Sequence, residues 1–105
     1  MEVYKFREYE VTLDWAEYGN NNTALQLLDE EGGLVVTVTV NVDEVPDKDI
    51  IGVKNYSENK GMVDFLVGNG LIEEEPEVVI YSGFVEVPYH RLTEKAIQSR
   101  DKQRG

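Results

Sequence analysis

Residues 34–42 narrow the choice of folds more than any other stretch. Leu34, Val36, Val38, Val40 and Val42 fall on one side of an extended chain, and Val35, Thr37, Thr39 and Asn41 on the other. β-branched residues dominate, as a pleated, half-buried surface favours, so the stretch reads as a strand with one face on a core. Two earlier segments share the period of two. Tyr9, Val11, Leu13 and Trp15 alternate with Glu8, Glu10, Thr12 and Asp14, and Thr23, Leu25 and Leu27 line one face of the next. Gly19 with Asn20–Asn22, and Asp29-Glu30-Glu31-Gly32-Gly33, supply the turns between them. Short connections between sequential strands predict an antiparallel meander. Residues 3–6 either begin the first strand or form a short one of their own.

The period then changes. Residues 50–53 form a short extended segment, and Met62, Val63, Phe65, Leu66 and Val67 make an apolar stripe at helical spacing. Ser57 is the expected N-cap, Glu58 suits the first turn, and Gly68 or Gly70 ends the helix in a left-handed cap. Residues 78–81 and 84–89 read as a C-terminal hairpin about Ser82-Gly83, with Pro88 marking an edge or a strand end. Thr93 is placed to cap a final helix over 94–100, with Glu94 early and Arg100 and Lys102 late, matching the macrodipole. Its apolar residues are Leu92, Ala96 and Ile97 alone, so weak docking and fraying over about 99–105 are expected. The whole chain of 105 residues reads as a single α+β domain. Its antiparallel sheet of about five strands, a three-stranded meander plus the hairpin, is packed by one central helix beside a short C-terminal one.

Charge bears on function. Twenty-one acidic residues face ten basic ones, a net of −11. Residues 91–105 hold five basic and two acidic residues, a local +3, which leaves −14 on residues 1–90. Such a body repels phosphates, so direct binding of nucleic acid is disfavoured and a basic protein partner is favoured. The densest acidic loops lie either side of the central helix. They are Asp43, Glu44, Asp47 and Asp49 before it, and Glu73, Glu74, Glu75 and Glu77 after it. These eight are the candidate partner-binding residues, with Tyr56 and Asn59 as secondary candidates.

No residue pattern points to catalysis. The chain has no cysteine and a single histidine, His90, which reads as a surface residue without a positioned partner. No acidic loop has the spacing of an EF-hand, and no glycines form a phosphate loop. No catalytic residue, metal site or cofactor is expected. No run reaches the roughly 18 apolar residues a membrane span needs. The N-terminus lacks a signal-peptide pattern, so a cytoplasmic protein is expected.

Two stretches carry a resemblance. Lys54-Asn55-Tyr56-Ser57-Glu58-Asn59, followed by Gly61-Met62, is the first; Ser82-Gly83-Phe84-Val85-Glu86-Val87-Pro88 is the second. Tyr4, Phe6 and Tyr9 at the start, and Leu25 with Leu27, are compatible with it. The chain resembles a family of small acidic domains of unknown function carried on conjugative elements and prophages of gut bacteria. The resemblance implies an accessory gene of a mobile element, and it carries over no catalytic residue. A factor that disarms host defence then becomes the leading expectation. Such a factor would be a non-enzymatic nucleic-acid mimic whose carboxylates occupy the basic groove of a host nuclease. The alternatives are a regulatory or structural accessory protein that forms a homo-oligomer, and a small-ligand-binding protein.

Overall fold

The computed structural model describes residues 2–41, 45 and 47–104. The strands are β1 (Tyr4–Phe6), β2 (Tyr9–Glu17), β3 (Thr23–Leu28), β4 (Leu34–Thr37), β5 (Ile50–Gly52), β6 (Val78–Ser82) and β7 (Val85–Arg91). The helices are α1 (Met62–Gly68) and α2 (Glu94–Arg104), with a single 3-10 turn at Ser57–Asn59 ahead of α1. The class is α+β, and every named strand pair is antiparallel. The expected single sheet of about five strands is replaced by two sheets. One is a four-stranded meander in the order β1-β2-β3-β4, and the other has the order β5-β7-β6.

The long strand expected over residues 34–42 is where the two sheets divide. β4 pairs with β3 only as far as Thr37, and a bulge at Val35 sets Leu28 opposite Leu34 and Leu27 opposite Val36. The alternation fails beyond it, because Val38 and Thr39 are both buried. The Thr39 hydroxyl accepts a hydrogen bond from the Leu25 amide (3.1 Å). A side chain thus takes the place of a backbone ladder partner. Thr39 then bridges Val53, and the Val40 amide donates to Gly52 O (3.0 Å), so the chain moves from the first sheet to the second. Val42 and Pro46 lie outside the described residues. Within the meander, Val11, Leu13 and Trp15 are buried as their alternation requires, whereas Tyr9, paired with Phe6 beside the turn from β1 to β2, is exposed.

The central helix is shorter than its apolar stripe suggested. Ser57 is not its N-cap: it sits at φ 57° and opens the 3-10 turn, and α1 starts after Gly61 at φ 93°. The Asn55 carboxamide, from outside the helix, accepts from the first-turn amide of Val63 (2.9 Å). The far end follows expectation. Leu71 N–H bonds to Leu66 O (2.9 Å) and Gly70 N–H to Val67 O (3.0 Å), with Gly70 at φ 70°. This pair of bonds closes a helix through a left-handed glycine. Met62 and Leu66 enter a continuous core with Phe6, Leu13, Leu25, Val53 and Leu92.

α2 is helical to Arg104, past the expected end at residue 100 and across the stretch where fraying was expected. Thr93 caps it, accepting from the Ala96 amide (3.2 Å). Docking is largely polar. β1 ends opposite Val11, so the edge of β2 beyond that point lacks a strand partner. The Gln103 carboxamide fills the gap, donating to Leu13 O and accepting from the Trp15 amide (3.0 Å) as a peptide group would. Ser99 accepts from the Trp15 indole (3.1 Å) and Arg104 pairs with Glu17 (2.7 Å).

Pro88 was expected at an edge or a strand end but lies inside β7, the middle strand of the second sheet. β5 pairs with β7 only from Arg91 down to Tyr89, and Pro88 is the next residue. Its carbonyl accepts from the Val53 amide (2.9 Å), while its missing N–H ends that ladder.

Candidate functional site

Asp43 and Glu44 lie outside the described residues. Of the other six acidic candidates, three are engaged within the molecule. Arg91, on β7, reaches both acidic loops at once, pairing with Asp47 (2.9 Å) and Glu77 (3.3 Å). The Asp49 amide, and then Arg91, favour the Asp47 carboxylate and hold it below its usual range. Arg100, with a nearly buried side chain, pairs with Asp49 (2.9 Å) and Asp101 (3.1 Å) and donates to Lys48 O (2.8 Å). Asp47, Asp49 and Glu77 therefore tie β7 and α2 to the flanking loops. Glu73, Glu74 and Glu75 are exposed and make no ion pair among the described residues. The described residues contain no cluster of His, Asp or Glu arranged to hold a metal ion.

The secondary candidates divide. Asn59 is wholly buried, and its amide donates to Thr37 O (2.7 Å) across the outer edge of β4. Its Oδ1 has no hydrogen-bond partner among the described residues. Asn59 closes a sheet edge and presents nothing at the surface. Tyr56 is half-buried in the wall of a shallow groove of about 330 Å³ lined by Asn55, Tyr56, Val79, Phe84, Glu86 and Pro88, with Val85 beside them. Residues of the stretches 54–62 and 82–88 thus line one groove, although they are far apart in sequence.

Sequence reasoning missed the apolar surface beside the groove. Val78, Val79, Tyr81 and Phe84 are all exposed, Phe84 completely. Ser82 pairs with Val85, so Gly83 and Phe84 are the two central residues of the turn, with Gly83 at φ 63° in the first position. Glycine there suits a tight hairpin and leaves Phe84 at its tip. The signal was Gly83 directly before Phe84 between two β-rich runs.

A wider groove of about 520 Å³ lies between α2 and the start of the chain, lined in part by Glu2, Tyr4, Lys95 and Gln103. Four of its polar groups, Glu2, Tyr4, Lys95 and Gln103, are used internally. Lys95 pairs with Glu2 (3.4 Å) and lies over the Tyr4 ring (5.2 Å), and Gln103 bonds to β2. Burial and then Glu2 push the Tyr4 hydroxyl up to about 12. His90, expected at the surface, is buried, with Nδ1 2.9 Å from Glu73 O. A carbonyl oxygen only accepts, so Nδ1 carries the hydrogen and fastens β7 to the 73–77 connector. No helix among the described residues is long and apolar enough to cross a membrane.

No protein-family model, curated protein or solved structure matches this chain.

Proposed function

We propose that this chain is a non-enzymatic, acidic binding module whose partner is a basic protein. The observation that carries the reading is the run Glu73, Glu74 and Glu75, exposed and without an ion pair among the described residues, on a body that carries −14 over residues 1–90. Carboxylates already held by arginines, such as Asp47 and Asp49, offer a partner less. The resemblance to domains of conjugative elements and prophages supports a narrower form of the same proposal. In it, the partner is a nuclease of the host and the carboxylates occupy its nucleic-acid groove.

The test compares two variants of equal charge. Glu73→Gln/Glu74→Gln/Glu75→Gln removes the run, and Glu8→Gln/Glu10→Gln/Glu30→Gln removes three exposed carboxylates elsewhere. Binding of a labelled oligolysine is measured at low and at high salt. The first variant should bind about tenfold more weakly than the second at low salt, with a shallower salt dependence. Equal loss in both would reduce the acidic run to bulk charge and overturn the assignment of the site.

A further inference from the structure

The two sheets have four edges, and their treatment differs. β4, four residues long, is covered at its Thr37 end: Asn59 donates to Thr37 O and the Lys54 amide to Val38 O (2.8 Å). β5 is covered by the Val40 amide on Gly52 O. β1 is three residues long. β6, with five residues, is the longest edge left open among the described residues.

Register shows which of its groups are free. Ser82 and Val85 flank a two-residue turn, so Ser82, Ile80 and Val78 turn their N–H and C=O groups toward β7. Those of Val79 and Tyr81 then point outward. Pro88 gives the same parity independently. It lies opposite Val79, and its carbonyl faces away from β6 to the Val53 amide. Natural edges are usually blunted by charge, proline or a bulge. Val-Val-Ile-Tyr-Ser has none of these, and Val79, Tyr81 and Phe84 expose apolar surface beside it.

Charge selects the occupant. Ile72 bridges Leu92, Glu73 N–H bonds to Arg91 O (2.8 Å) and Glu77 N–H to Tyr89 O (2.7 Å). The connector therefore runs along β7 on the β6 side, with Glu74 and Glu75 looping out between those bonds. The acidic run thus continues the open edge. A second copy would bring another −11 to the same place. An extended segment with basic residues is attracted by the same charges.

We propose that the free edge of β6 docks an extended, basic segment of a protein partner as a fourth strand. Main-chain hydrogen bonds form at Val79 and Tyr81, apolar side chains lie against Tyr81 and Phe84, and cationic ones lie beside Glu74 and Glu75. The proposal rests on the basic-partner reading and adds where and how that partner binds.

The probe is a capped peptide of alternating lysine and valine, with a second version N-methylated on both of its edges. Hydrogen exchange at the Val79 and Tyr81 amides should be fast in the free protein and slowed by the unmethylated peptide. The methylated peptide should bind at least tenfold more weakly. Tyr81→Pro removes an outward N–H without touching the β7 ladder and should show the same loss, whereas Tyr81→Thr, which gives up the ring but keeps that N–H, should lose less. Should Tyr81→Pro fail to fold, the methylated peptide decides the matter. Equal binding of both peptides would overturn strand addition and leave the basic-partner reading standing. Failure of both peptides while oligolysine still binds would do the same, and failure of oligolysine as well would overturn both. A dimer of the free protein that Tyr81→Pro dissolves would assign the edge to a second copy and overturn the proposal.

Discussion

Gly52 shows how one missing side chain permits a close contact. A Cβ there would lie 2.8 Å from the Tyr89 ring and 3.0 Å from Val40 O, while the backbone needs no unusual angle. Gly52→Ala should cost about 1–3 kcal/mol by overpacking. Gly19, with open space around it, is the control. Urea unfolding of the two alanine variants checks this, and equal midpoints would show that the ring moves aside freely. Asp47 supplies a pH-dependent counterpart. Its folded-state value lies below the ordinary 3.8, so the unfolded chain takes up its proton first as pH falls. The stabilisation is complete above the ordinary value and disappears as pH drops through the lowered one. Asp47→Asn should therefore flatten the loss of stability as pH falls from the ordinary 3.8 through the lowered value. Parallel unfolding profiles for variant and parent over that range would refute it. Arg91, at the crossing of both acidic loops, was legible as a basic residue but not as their joint partner. That role depends on β7 lying between two loops distant in sequence.

At the scale of elements, α2 departs most from a reading based on hydrophobic pattern. Few apolar residues suggested weak docking, yet the Gln103 carboxamide stands in for a strand where β1 has ended. Gln103→Ala leaves the Trp15 amide and the Leu13 carbonyl without that partner, at a cost of about 1–3 kcal/mol. Gln98→Ala, which removes only an exposed contact to Glu94, should stay within about 0.5 kcal/mol of the parent. Thermal unfolding followed by Trp15 fluorescence distinguishes them, and similar shifts would deny Gln103 its role. α1 makes the complementary case. Its stripe and its glycine stop were readable because both are local, whereas its start was set by Asn55 and Gly61 rather than by Ser57.

For the whole molecule, two sheets in place of one change where a binding surface can lie. Dividing the chain at Thr39 gives the hairpin of β6 and β7 its own sheet and leaves β6 without an outer neighbour among the described residues. Arg91 and Arg100 meanwhile occupy carboxylates that a count of charges would leave available. On the proposed reading, the charge that meets a partner is the run Glu73, Glu74 and Glu75. The paired triple-glutamine variants test that concentration directly, because total charge is the same in both. Their salt dependence separates a local site from the long-range field of a −11 body.

Local chemistry was enough to read the α+β class, the meander of β2, β3 and β4, the hairpin turn at Gly83, the Thr93 cap and the glycine end of α1. Each depends on alternation or on turn and cap residues within a few positions. The split into two sheets, the burial of Asn59 and His90, the neutralisation of Asp47 and Asp49, and the meeting of Tyr56 with Phe84 were not readable in this way. Each depends on groups far apart in the chain, and residue type does not reveal which partner satisfies a buried amide or carboxylate. Periodicity shows which face of a strand is apolar, but packing selects the edge that stays open.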